Sequence, residues 1–191
     1  ALNLLTWNRL DVAFKLYFLE MLGNGVMFSH KMYIDHISAF SFGKFTEPGN
    51  KNKRGAKKFL EYFLDTFRDI EKNGFDKRRS LIPLSINCSI ANGSHRLASA
   101  IFLDKDIYGV KIKTNNHIYD YNFFYKRKIS FETLDSVVTK FIEYAPNTYI
   151  AILWPIGRDE GPNVLKNIPN IVYKKKIKLN PNGAHNLLSQ V

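Results

Sequence analysis

Apolar residues recur at helical spacing from the start of the chain. Leu10, Phe14, Tyr17, Phe18, Met21 and Leu22 predict a helix over 3–22, and Gly23 stops it. Gly23-Asn24-Gly25 reads as a turn. A second helix is predicted over 29–40, with Met32, Ile34, Ile37 and Phe40 turned inward. His30, Asp35 and His36 fall in it at a spacing that is not a ligand motif, so they read as surface residues. Ser41–Gly55 is rich in Gly, Asn and Lys and reads as a loop. The strongest pattern follows over 55–73, where Phe59, Leu60, Phe63, Leu64, Phe67 and Ile70 make one broad stripe and Gly74 sits at the C-terminal cap.

The period then changes. Leu84, Ile86, Cys88 and Ile90 alternate with Ser85, Asn87 and Ser89, which predicts a strand or tight hairpin over 81–91 and places Cys88 with the buried set. A helix with Ala98, Ser99 and Ala100 and a strand at 107–113 come next. His117–Tyr125 is dense in aromatics and reads as a strand or packed loop around Asp120. Ser130–Ala145 is a second clean helix, capped by Ser130 and ended by Pro146. Tyr149–Trp154 reads as a short buried strand running into a loop with Arg158, Asp159 and Glu160, and Ile168–Leu179 as a basic edge strand before a terminal helix. No repeat and no linker divides the chain, so the pattern predicts one mixed domain over 1–191.

Composition narrows this picture. With 45% hydrophobic and 14% aromatic residues the chain can bury a core, which excludes global disorder. No apolar run is long enough to span a bilayer. A lone cysteine, Cys88, excludes an internal disulfide framework, and a reducing cytoplasm is the expected compartment. The chain starts at Ala1 and stops at Val191 without a clear ending, as a piece of a longer polypeptide would. The net charge of +11 is clustered at Lys51–Lys58, Lys77–Arg79, Lys126–Lys128 and Lys174–Lys178. Such a field attracts nucleic acid, anionic lipid or phosphorylated small molecules.

The chemistry concentrates at Asn92-Gly93-Ser94-His95-Arg96, where an apolar run ends and a short helix begins. A strand-to-helix turn leaves backbone N–H groups without intrahelical partners, and those donors suit phosphate. Gly93 allows close approach, Ser94 is placed to cap, and Arg96 can grip two phosphate oxygens.

The order helix 55–73, Gly74-Phe75, Ile82-Pro83, a hairpin-like stretch, Asn92-Gly93-Ser94-His95-Arg96, a small-residue helix and the strand at 107–113 resembles the ParB/sulfiredoxin superfamily. The resemblance covers residues 45–113. It implies an α/β (α+β) fold with a ParB/sulfiredoxin-like core at 45–113, an N-terminal helical segment at 1–44 and a C-terminal α/β extension at 114–191. Members bind a nucleoside triphosphate with this turn, and they include sulfinic-acid reductases, CTP-binding partition proteins and free-serine kinases. The reductases need a cysteine just before the His-Arg pair, where this chain has Ser94. The partition proteins carry a downstream helix-turn-helix, for which the chain shows no recognition-helix pattern.

The kinase-type members are therefore the best match. The resemblance implies ATP and Mg2+, with Asn92, Gly93, Ser94 and Arg96 on the phosphates and His95 on the transferred group. Glu47 is the first candidate for the base that orients an acceptor hydroxyl on a sugar, polyol or amino acid. Asp120 and Asp159 are the alternatives, and Asp159 and Glu160 are candidate metal ligands. The rival reading is a nucleic-acid-binding or nuclease module of the ParB-like type, using the same turn and the basic clusters.

Overall fold

The structure, a computed structural model, describes residues 1–47 and 49–145, all within one compact unit, Ala1–Tyr149. A single 3-10 turn at Leu2–Leu4 precedes α1 (Leu10–Gly23) and α2 (Phe28–Ser41). Two short strands follow, β1 (Thr46–Glu47) and β2 (Asn50–Arg54), then α3 (Ala56–Asn73), β3 (Ile82–Leu84), α4 (Ser94–Phe102) and β4 (Gly109–Lys111). The short α5 (Tyr121–Tyr125) and the longer α6 (Phe131–Tyr144) complete the described part. The fold is α+β: helices dominate, with one antiparallel pair, β1–β2, and one parallel pair, β3–β4.

α1 is the central element. Residues Leu10 to Leu16 are all buried, so it has no solvent face over that stretch. A helix apolar on all sides must be covered on all sides, and α1 packs against α2, α4 and α6. α3 in turn packs on α2 and α4 through Phe59, Phe63 and Ile70. The predicted 3–22 helix is thus interrupted: Arg9 N bonds Thr6 O at 2.9 Å, and Arg9 forms a one-residue bridge with Tyr119 before α1 starts.

β3 and β4 lie side by side in parallel register, Ile82 opposite Gly109, with α4 in the crossover between them. A Cβ at Gly109 would lie 2.9 Å from Leu84 Cδ1 and 3.2 Å from the Ile82 carbonyl oxygen, so the pairing needs glycine there. Of the strand or tight hairpin expected over 81–91, the structure takes the hairpin-like form, with a tight turn after β3. Ser85 N bonds Ser89 O at 2.8 Å, and Leu84 bridges Ile90.

Several local expectations are corrected. Cys88 is exposed at φ 60°, because the turn breaks the alternation that would have buried it. His36 is fully buried, because α2 is covered by α1 and α5. Tyr121–Tyr125 is a helix, started by the Asp120 carboxylate accepting from Phe123 N at 2.8 Å. Ser130 does cap α6, accepting from Thr133 N at 3.3 Å. The expectations for Pro146, Tyr149–Trp154, Asp159, Glu160, Ile168–Leu179 and the terminal helix lie outside the described residues.

Candidate phosphate site at the start of α4

Gly93 precedes α4 at φ +90°, a conformation that L side chains avoid. Its space is also filled: an added Cβ would stand 2.9 Å from Arg96 Nη2 and 3.0 Å from Ile82 Cδ1. The Asn92 side chain accepts from Gly93 N at 2.6 Å, which locks the turn. The first intrahelical bond runs from Leu97 N to Gly93 O at 2.9 Å. The amides of Ser94, His95 and Arg96 precede it, and among the described residues no acceptor bonds them. Ser94 is the first helical residue rather than the cap, and its hydroxyl makes no capping bond.

His95 and Arg96 leave this turn in different directions. Arg96 is half-buried and folds back over Gly93, with Nη1 donating to the Leu81 carbonyl at 3.1 Å. Burial pushes its guanidinium pKa down from the usual value. It borders a cleft of about 220 Å³ shared with Asp69, Asp76 and Arg79. His95 turns inward, its ring 4.6 Å from that of Phe63 and its Nε2 2.8 Å from the Tyr33 hydroxyl.

Tyr33 ties His95 to a polar cluster drawn from four separate segments. Its hydroxyl also donates to the Phe59 carbonyl at 3.1 Å. With the proton given to Phe59, the Tyr33 oxygen accepts from a His95 Nε2–H. The Phe59 ring carries the Lys53 ammonium at 4.6 Å, and Lys53 Nζ bonds Glu47 Oε2 at 2.6 Å. Lys53 is buried although β2 is otherwise mostly exposed. Burial first, and the Glu47 charge second, push the Tyr33 phenol pKa up. His95 thus bonds the Tyr33 hydroxyl, and the Glu47 charge, paired with Lys53, acts on the same phenol.

Lys15 adds a second buried ammonium. It reaches the Asp11 backbone oxygen at 2.9 Å and stands 3.6 Å from the Asp11 carboxylate. Arg9 holds the same carboxylate by Nε at 2.8 Å and Nη2 at 3.0 Å, and its Nη1 bonds the Ile90 carbonyl. Burial pushes Lys15 down to about 8, against the opposing pull of Asp11. Burial alone would raise the Asp11 carboxyl, but the Arg9 and Lys15 charges outweigh it and hold it well below the carboxylate range. Burial, with the nearby charges of Lys15 and Lys53, pushes His95 well below its usual value, so the ring is neutral.

The expected residues therefore divide. His95 bonds Tyr33, on which the Glu47 charge acts, and Asn92, Gly93 and Ser94 form the turn that leads into His95. Arg96 lies against that turn but faces a neighbouring cleft. Asp120 is spent capping α5. Asp159 and Glu160 lie outside the described residues. Lys15, Lys53 and Tyr33 are the members that spacing in the chain does not announce. For Lys15 a signal exists: a lysine inside Asp11-Val12-Ala13-Phe14-Lys15-Leu16 has no polar face to occupy. Among the described residues no group of three or more His, Cys, Asp or Glu side chains is placed to hold a metal, and no helix is long and apolar enough to cross a membrane.

No family model, curated protein or solved structure matches the chain.

Proposed function

We propose that the chain is a nucleotide-binding phosphotransferase with a ParB/sulfiredoxin-like core, moving a phosphoryl group from ATP to a hydroxyl of a small metabolite. One observation carries this reading. Three unbonded amides at the start of α4 belong to the turn whose His95 bonds Tyr33, and the charges of Lys15 and Lys53 act on the His95 ring while that of Glu47 acts on Tyr33. Amides and ammonium groups suit phosphate oxygens, and a carboxylate beside them suits an acceptor hydroxyl.

The proposed roles are these. The Ser94, His95 and Arg96 amides receive the phosphates. Lys53 and Lys15 supply the positive charge, because the neutral His95 cannot; His95 positions Tyr33 and the transferred group. Glu47 takes the hydroxyl proton as the acceptor oxygen bonds to the γ-phosphorus and the bond to the ADP oxygen breaks. Mg2+ is commonly held by one or two carboxylates plus the substrate phosphates, whose charge it would neutralise, and the carboxylates expected to hold it, Asp159 and Glu160, lie outside the described residues.

The test uses the full chain with ATP, a non-hydrolysable ATP analogue and Mg2+. The analogue should raise the unfolding temperature, since a ligand of the folded state stabilises it. Lys53→Met should remove that rise. Glu47→Gln should keep it and abolish transfer of radiolabelled phosphate to a panel of sugars, polyols and hydroxyl amino acids. An unfolding temperature indifferent to nucleotide at millimolar concentration overturns the reading.

A further inference from the structure

A larger groove lies away from the α4 turn, between α2 and the segment that joins α5 to α6. Its volume is about 660 Å³. Phe28, Lys31, Phe42, Lys126, Arg127 and Lys128 line it. The one acid among its lining residues, Asp35, is already bonded to Lys31 at 2.5 Å. Among the described residues, Lys126, Arg127 and Lys128 thus have no carboxylate partner on the groove wall.

Aromatic rings accompany those charges. Phe42 is 72% exposed and Phe28 is 50% exposed, which is unusual for large apolar rings in a concave place. Phe42 closes α2 in the left-handed conformation at φ 52°, and Lys128 holds φ 64° on the opposite wall. The Arg127 guanidinium lies 4.5 Å from the Phe42 ring centre and 3.6 Å from that of Phe123, and its Nη1 donates to the Phe123 carbonyl at 3.2 Å. Its Nε is buried and unbonded among the described residues.

We propose that this groove binds a single strand of nucleic acid. The exposed cations match a phosphate backbone, and the exposed rings match the flat faces of unpaired bases. An acidic peptide would satisfy the charges and leave the rings idle, and a duplex keeps its bases stacked away from them. The site is separate from the α4 turn and stands whether or not the phosphotransferase reading holds.

The experiment is fluorescence anisotropy of the full chain with a fluorescein-labelled oligothymidine and oligouridine of roughly 12 nucleotides. Binding should weaken steeply between about 50 and about 200 mM salt. The double variant Lys126→Glu/Lys128→Glu should weaken it about tenfold or more. Phe42→Ala should weaken it roughly 5- to 100-fold, the range of one lost base stack. Circular dichroism checks the fold, and Phe42→Asn, which tolerates the left-handed backbone, gives the same readout if the alanine variant misfolds. Absence of binding at the lower salt overturns the proposal, as does binding that neither variant changes. Equal affinity for polyglutamate of matched charge, with Phe42→Ala without effect, assigns the groove to an acidic peptide instead and overturns it too.

Discussion

At the scale of single residues, Gly93 decides whether the α4 turn exists. Two independent restraints act on it: a φ of +90°, and a side-chain space taken by Arg96 and Ile82. The Arg96 Nη2 atom is the end of a flexible side chain and can move, but the backbone angle cannot be relieved without reshaping the turn. Gly93→Ala is therefore expected to cost about 1–3 kcal/mol of stability. It should also weaken nucleotide binding more than that loss of folding alone would, because the amides of Ser94 to Arg96 follow directly from this angle. Urea unfolding and nucleotide titration of the same variant separate the two effects. An alanine variant with unchanged stability and binding would mean that the turn tolerates another backbone.

At the scale of elements, Asp120 shows how capping and catalysis are told apart. Its carboxylate accepts from Phe123 N and starts α5, the piece that covers His36 and Phe14 through Phe124. Asparagine caps as well as aspartate, whereas alanine loses about 1 kcal/mol. Asp120→Asn should leave both stability and phosphoryl transfer intact, and Asp120→Ala should lower stability by about that amount, read by thermal unfolding. Loss of transfer in the asparagine variant would make Asp120 a base after all. The helices with a one-sided stripe, α3 and α6, are readable from the chain because burial on one face leaves a 3.6-residue period. α1 is harder to bound, since a helix buried all round has little contrast between faces. In the 81–91 stretch the alternation misleads only about Cys88, which it places with the buried set, whereas the tight turn leaves it exposed at positive φ. The turn before α4 is legible because its residues are consecutive. The groups around it are not, because Lys15, Tyr33, Glu47 and Lys53 come from α1, α2, β1 and β2 and reach the surroundings of His95 only through tertiary packing.

At the scale of the whole molecule, the buried charge makes stability a function of pH. His36 is fully buried, stacked on Phe14 at 4.5 Å, and neither ring nitrogen has a partner among the described residues. Burial, with Lys15 adding to it and Asp11 opposing, pushes its pKa well below the usual value; burial, Lys15 and Lys53 do the same to His95. In the unfolded chain both rings titrate near 6.5. Below that pH the unfolded state binds protons that the folded state refuses, so stability falls as pH falls, by up to about 1.4 kcal/mol per pH unit for each ring. Asp11 acts lower down, since its depressed carboxyl contributes stability that disappears only below the ordinary carboxylate range. Lys15 acts in the alkaline range. Between about 8 and 10.5 the unfolded chain keeps a proton that the folded chain releases, so stability rises there. The urea midpoint should therefore drop between about pH 7 and pH 5. His36→Phe keeps the stacking, loses no hydrogen bond, and should remove roughly half of that slope while His95 supplies the rest. A flat profile across this window, or a phenylalanine variant with the original slope, would show that the rings take up protons in the folded state and that the core around α1 admits charge freely.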